Sequence, residues 1–547
     1  MKKYFTYNYL FINILSITLL LVSCSDDLLV EKPESFLTPS NAFVNADGYN
    51  AAIAELHRLS RGLRTSEVVN DYAIENFEED KAVTTIYANG TDIASFAVTN
   101  QNQFTDYAKI NSTNPLVSAY WKILYKMIAN ANTIVANITV SELKEEDKLR
   151  IEGNARFFRA FAYRFLVYLY GDVPLLTAEI KTPKFDFTRA PVNDILAFMK
   201  EDLEFASANL PSENPGDGQL SKAAADHILA ETLISLKDYA GAIQAASLVI
   251  DNSQYALMQS RFGSSTSIDG DVFWDLFRIN NQNGSSGNTE SIWVWQLDFT
   301  TLNGEPKNRL TRCWGPRLER VKDSEGNRAY VVPPASIDTL GRGVGFVHPT
   351  EYLEYTIWES DFNNDIRNSK YNMQRRFTNN NPASPEFGQM MVPRASDLSR
   401  NHNVFVKKTA AREGYPQGYD TDGRMYTDMY AIRLAETYLL RAEAYFLNGD
   451  NTNSTADINI IRNRAQATPI ASSLITLDYI LDERARELVS EEPRRLTLAR
   501  MNKLAERVRL YNPVSAPSIQ DFHNLWPIPQ DAIDANLEAE LIQNPGY

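Results

Sequence analysis

The feature that most constrains the fold is a helical pair that occurs twice. In the stretch 221–236, Ala225, Leu229 and Leu233 share one helix face; Lys237-Asp238-Tyr239 makes a turn; and in 238–251 Ala242, Ala245, Ala246 and Val249 supply a face of small residues. Small side chains let paired helices approach closely, and such a pair buries its face only by stacking on another, as in tetratricopeptide repeats. A second pair lies far downstream, where Tyr438, Leu439, Ala442 and Ala444 run into the turn Leu447-Asn448-Gly449-Asp450 and a helix carrying Ile458 and Ile461. The predicted fold is mostly α, a tetratricopeptide-like helical repeat scaffold. Between the pairs, 255–424 is rich in Asn, Gly, Ser and aromatics, with strand-like pieces such as 292–299. That composition predicts an inserted region of loops and short strands.

The N-terminus reads as a lipoprotein signal. Lys2 and Lys3 precede an apolar run that ends in Leu21-Val22-Ser23-Cys24, the layout of a secretory leader. Asn8, Asn13 and Ser16 speak against a membrane span, because each would carry an unpaired polar group into hydrocarbon. In a lipobox the cysteine thiol is acylated and becomes the first mature residue, here Cys24. Ser25-Asp26-Asp27 resembles the short acidic signal that sends lipoproteins to the outer face of the outer membrane. The expected organisation is a signal peptide over 1–23, a tether over 24–39, a helical part over 40–254, the loop-rich insertion over 255–424 and a second helical part over 425–547.

Composition narrows the function classes. With 44% hydrophobic and 22% charged residues, the 547-residue chain is ordinary for a folded protein. Its formal charge is −15; loss of Lys2 and Lys3 with the signal leaves 52 basic against 69 acidic side chains, or −17. That argues against nucleic acid, which demands basic surfaces. With Cys24 acylated, Cys313 has no partner in the chain and is expected to be a small buried hydrophobe. None of His57, His227, His348, His402 and His523 stands at metal-ligand spacing. There is no Gly-x-Ser-x-Gly elbow, and Gly341-Arg342-Gly343-Val344-Gly345 lacks the lysine and following helix of a phosphate loop. The expectation is a protein that is not an enzyme and carries no metal or cofactor.

The order of motifs resembles the SusD/RagB family of outer-membrane nutrient-binding lipoproteins. Tyr120-Trp121, Tyr125, Ile128, Asn130 and Asn132 resemble the family's first helix motif, and 152–174, ending in Tyr170-Gly171-Asp172-Val173-Pro174, its most recognisable segment. Asp202-Leu203, Ala206 and Leu210-Pro211 follow. Downstream come 433–444, 458–465, 483–488, Arg494-Arg495, Leu525-Trp526-Pro527-Ile528-Pro529 and Gln543-Asn544-Pro545-Gly546-Tyr547. Thr437 stands where many members carry Val or a bulkier residue.

Read by themselves, the charges in these motifs look structural. Arg156, Arg159, Glu436, Arg441, Glu443, Glu483, Arg484, Arg486 and Glu487 have partners three or four residues away, which predicts exposed ion pairs of about 0.2–0.5 kcal/mol each. Gly171 suits a helix C-terminal position with positive φ, and Pro174 a chain that cannot resume the helix.

The resemblance implies a surface protein that captures a glycan and delivers it to a partner TonB-dependent transporter, held on the outer membrane by its lipid. A peptide-binding member of the family and a non-catalytic protein scaffold are the alternatives. Sugar capture needs aromatic faces with amide, carboxylate or guanidinium groups beside them. Tyr72, Tyr87 and Phe104, each among Asn, Asp, Gln or Gly within about 70–111, and Trp314, between Arg312 and Gly315-Pro316, are the candidate ligand residues. Trp274, Trp293, Trp295 and Trp526 have apolar neighbours that predict core positions.

Overall fold

The computed structural model describes residues 42–547 apart from 66–82, 98–103, 214, 299, 301–307, 333–339, 399 and 411–424. Cys24, the tether and Tyr72 therefore lie outside the described residues. The longer helices are α1 (Ala46–Thr65), α2 (Pro115–Ile138), α3 (Glu145–Tyr170), α4 (Val192–Asn209), α5 (Lys222–Ser235) and α6 (Tyr239–Ile250). After a loop-rich stretch follow α7 (Leu434–Leu447), α8 (Asn451–Arg464), α9 (Leu477–Leu488), α10 (Arg494–Arg500) and α11 (Leu504–Tyr511). Each of α2 to α7 packs on the next, so the two sequence repeats, α5–α6 and α7–α8, stack directly through α6 and α7. The expected helical scaffold is present.

The two repeats turn by the same device. Lys237 (φ +63°) and Gly449 (φ +83°) take the left-handed conformation. The next residue's N–H reaches back to close the helix end, Asp238 to the Leu233 carbonyl at 2.9 Å and Asp450 to the Tyr445 carbonyl at 2.8 Å. The same aspartates then cap the following helix, accepting from the Gly241 and Asn453 amides at 3.0 Å each. Elsewhere Asn114 caps α2, with Pro115 in the first turn, and Gly171 closes α3 with φ +76°.

Strands are few. The described residues contain three two-stranded sheets, pairing β1 (Ala94–Phe96) with β3 (Val347–Pro349), β2 (Ser291–Trp295) with β6 (Met429–Arg433), and β4 (Met373–Gln374) with β5 (Phe405–Val406). All three are antiparallel. β2 realises the first half of the predicted 292–299 strand, ending at Trp295, and β6 runs straight into α7. Trp293 of β2 packs against Phe157, Phe158 and Phe161 of α3 at 5.4–5.8 Å between ring centroids, and Trp295 Nε1 donates to Ser60 Oγ of α1 at 3.1 Å. Trp274, Trp293, Trp295, Trp526 and Cys313 are all buried, as their neighbours in sequence suggested.

The motif charges depart from expectation. Only Arg156–Glu152 and Arg486–Glu483 form short-range helix pairs. The others are buried or half-buried and paired across the fold: Arg159 with Asp202, Arg441 with Asp457, Arg500 with Glu443, and Arg484 with both Glu436 and Glu492. Glu487 receives Arg367 at 3.0 Å and Arg433 at 2.6 Å as well as Arg464. Helix spacing of three or four is necessary for a local pair but does not exclude a buried partner elsewhere, and burial selects the bidentate arginine geometry.

The repeat turns can be tested through stability. Lys237→Gly removes the left-handed strain at a cost in unfolded-chain entropy, and should gain about 0.5–1 kcal/mol. Gly449→Ala, whose added Cβ would meet nothing within 4 Å, should lose about 1 kcal/mol through conformation alone. Denaturant midpoints check both, and a loss on Lys237→Gly would refute the turn argument.

Acid should unfold the protein through the same carboxylates. Burial opposes ionisation of Asp92, Glu231 and Glu483, but neighbouring arginines outweigh it and hold each carboxyl at about 2. The folded value lies below the unfolded one of about 4, so this stabilisation is complete above about pH 4 and lost as pH falls toward 2. The urea midpoint should drop steeply across that window. Glu483→Gln, which strips charge from a site facing Arg367, Arg462 and Arg486, should cost about 3–5 kcal/mol at neutral pH. A midpoint flat from pH 5 to 2 would overturn the assignment.

Candidate functional site

Part of the 70–111 segment meets the inserted region, at 346–350 rather than around Trp314. β1 and β3 pair in the register Ala94 with Pro349, Ser95 with His348 and Phe96 with Val347. The Ala97 amide continues the contact to the Phe346 carbonyl at 2.9 Å, and Thr350 Oγ1 donates to the Asp92 carbonyl at 2.7 Å.

Of the aromatics chosen for the site, the three that are described, Tyr87, Phe104 and Trp314, are buried and present no face to a ligand. Tyr87 is 2% exposed beneath the Arg64 guanidinium, 3.7 Å from its ring centroid; Phe104 is 4% exposed against the Trp526 ring at 5.3 Å; Trp314 is fully buried. Polar neighbours in sequence misled in each case. The 83–90 turn tucks Ile86, Tyr87 and Ala88 together into the core, and the short helix Leu310–Trp314 turns all but Arg312 inward.

An exposed aromatic pair lies elsewhere, at Tyr355 and Phe362. Thr350 caps the short helix Glu351–Glu354 by accepting from the Leu353 amide, after which a tight turn over Thr356–Trp358 buries Ile357 and Trp358. Trp358 Nε1 donates to the Leu353 carbonyl at 2.8 Å. With those two side chains facing inward, Tyr355 remains 44% exposed. Phe362, 40% exposed, follows Asp361, which Arg462 and Thr468 hold in the interior. The two rings are parallel within 5°, with centroids 6.5 Å apart.

Arg375 completes the group, its guanidinium 5.4 Å from the Tyr355 centroid and 5.0 Å from that of Phe362. It donates to the Glu354 carbonyl, to Asn368 Oδ1 at 2.6 Å and to the Met373 carbonyl at 3.2 Å, so its position is set before any ligand arrives. Asn363 and Asn364 are exposed beside Phe362. Burial raises the neighbouring Glu354 carboxyl to about 7 against the Val404 amide that it accepts from. Flat apolar faces flanked by amides and a fixed guanidinium are what a sugar ring requires. The rule that selected Tyr72, Tyr87 and Phe104 would also have found Phe362, beside Asp361, Asn363 and Asn364, but not Tyr355, whose neighbours are Leu353, Glu354, Thr356 and Ile357.

An apolar cleft of about 300 Å³, lined by Trp121, Tyr125, Phe185, Phe187 and Leu541 among others, is a weaker candidate. Its amide residue, Asn536, is committed to the Phe187 and Ala539 carbonyls.

Comparison with known proteins decides the family. The family model described as "SusD family" matches residues 289–547, and one described as "Starch-binding associating with outer membrane" matches 60–232. The chain belongs to the SusD family. The SusD-like protein P25 of Formosa agariphila is 24% identical, covering 98% of this chain and 99% of its own. Among solved structures, a SusD homologue of Bacteroides thetaiotaomicron superposes with a TM-score of 0.71 at 18% identity, over 93% of this chain and 98% of that one. A laminarin-binding SusD-like protein gives 0.67 at 21%, over 91% and 99%. At these identities the two structures establish the shared SusD fold.

The SusD motifs prove to be internal locks. Arg159 grips Asp202 through two bonds of 2.7 and 2.8 Å and Asn132 Oδ1 at 2.6 Å, joining three helix motifs. Tyr125 Oη donates to the Pro174 carbonyl at 2.8 Å, and the terminal Asn544 amide donates to the Tyr170 and Trp526 carbonyls at 2.8 and 2.7 Å. The Tyr547 hydroxyl donates to the Leu525 carbonyl. The closing Asn-Pro-Gly-Tyr, chemically mute in the sequence, pins the end of α3 to the segment around Trp526. Among the described residues, no helix is long and apolar enough to cross a membrane.

Proposed function

We propose that this protein is a non-catalytic surface glycan-binding lipoprotein. It is anchored in the outer membrane through Cys24, captures oligo- or polysaccharide on the Tyr355–Phe362–Arg375 face and delivers it to a partner TonB-dependent transporter. The observation that carries the binding reading is the parallel, exposed ring pair with its fixed guanidinium. Support for the ligand class comes from the family description, which names starch and the outer membrane, and from a similar structure described as laminarin-binding. Tethering a binder beside its transporter raises the local ligand concentration, so modest affinity suffices.

A glycan-array screen of the soluble mature form, followed by calorimetry, tests the reading. Tyr355→Ala and Phe362→Ala should each weaken binding by about 2 kcal/mol or more, as truncation of a stacking hot spot does. Thermal stability should hardly change, because both rings are exposed. Unchanged affinity in both variants removes this face from the site. For the anchor, Cys24→Ala should release the protein from the outer membrane in cells lacking the transporter; retention there would show that acylation is not what holds it.

A further inference from the structure

Arginines gather at one place in a chain whose overall balance is 54 basic to 69 acidic residues. The backbone brings them together. The Arg317 amide donates to the Arg400 carbonyl at 2.9 Å, the Arg320 amide to the Arg317 carbonyl at 3.0 Å and the Val344 amide to the Arg312 carbonyl at 2.9 Å. Arg400 Nε returns to the Val344 carbonyl at 3.0 Å. Glycines permit this approach: a Cβ on Gly343 would stand 2.2 Å from the Gly315 oxygen, and one on Gly345 (φ +64°) 2.1 Å from the Arg400 oxygen. The Gly341–Gly345 run, unsuited to a phosphate loop, thus lets the arginine-bearing segments touch.

The side chains converge as well. The Phe346 ring has the Arg400 guanidinium 5.1 Å and the Arg312 guanidinium 5.7 Å from its centroid. Arg342 and Arg317 share the carboxylate of Glu319, at 3.0 and 3.4 Å. Among the described residues neither Arg400 nor Arg320 is paired with a carboxylate, and Arg320 is exposed. Burial, and then the repulsion of Arg317, Arg312 and Arg320, lowers the pKa of Arg400. Several guanidinium groups held together at that cost, with their heads partly open to solvent, are prepared for an incoming anion, which they would bind through paired charge-assisted hydrogen bonds.

We propose that this cluster is an anion-recognition subsite for the carboxylate or sulfate groups of an acidic polysaccharide, which makes the ligand an anionic glycan rather than a neutral one. The inference rests on the glycan-binding reading and adds the charge class to it. Phe346 leads through β3 and the short helix Glu351–Glu354 to Tyr355, a path of about 10 Å of strand and about 6 Å of helix, so that one polymer can engage both places.

Matched probes test it on the mature chain by calorimetry: polygalacturonate against its carboxyl-reduced product, and dextran sulfate against dextran, with laminarin as a further neutral glycan. The acidic member of at least one pair should bind at least tenfold tighter than its neutral partner and weaken as salt is raised; which pair responds separates uronate from sulfate. The double variant R317Q/R320Q should lose about tenfold or more of that affinity, the effect of removing charge-assisted hydrogen bonds, and keep any affinity for laminarin. R320Q alone, at an exposed position, guards against a folding defect. Equal affinity within both pairs, or an acid preference untouched by the substitutions, overturns the proposal. Neutral binding that is lost in Tyr355→Ala would leave the glycan reading standing without the anionic one, whereas no saccharide binding at all by the folded protein removes both.

Discussion

A buried network of arginines and carboxylates holds this fold together where regular hydrogen-bonded structure does not. Glu487 and Glu483 of α9 face Arg367, Arg433, Arg462, Arg464 and Arg486 between them, and Asp92 receives Arg494 and Arg507 at 2.6 and 2.7 Å. Taking such charges out of water costs several kcal/mol per ion, so the network is no simple gain over an apolar core. Its effect is geometric. An isolated partner is so costly that each arginine fixes where its carboxylate's segment must lie, and segments as distant as 92, 290, 361–367 and 433 are thereby assigned to the helices that carry 462–507.

That constraint reaches the proposed ligand face. Phe362 sits between Asp361, held by Arg462 at 2.7 Å, and Asp365, held by Arg367 at 2.6 Å. The backbone around the ring is therefore clamped on both sides by buried ions, while the ring itself faces solvent. Arg375 is likewise tied to two carbonyls and an amide oxygen. A platform whose parts are fixed in advance loses little conformational entropy when a sugar docks, which is how two rings of modest area can serve as a site.

How much of this was legible in the sequence depends on the range of the interaction. The helix pairs were readable because 3.6-residue periodicity, small-residue faces and turn residues are local; Gly449 suits its left-handed position, but nothing in the sequence marks Lys237 for one. That the 70–111 segment would lie near the insertion was readable; that it would touch 346–350 rather than the surroundings of Trp314 was not. The partners of Arg494 and Arg433 were not, since they lie as far as 402 and 143 residues away. Polar neighbours likewise failed to distinguish Tyr87, Phe104 and Trp314 from exposed rings, because a side chain's direction out of an irregular turn is set by what packs on it.

The division of labour between helices and irregular segments has a physical cause. Helices α2 to α8 use their faces on one another, and their motif charges on internal pairs, so little chemistry remains for a ligand. The segments between β2 and β6 have few backbone ladders to satisfy and are anchored instead at points, by ions and by short strands. Side chains between those anchors can face outward without disturbing the scaffold. Both the ring pair at 355–362 and the arginines around 317 occupy such intervals, each close to a residue that the core holds fast: Trp358 and Asp361 for the rings, Trp314 for the arginines.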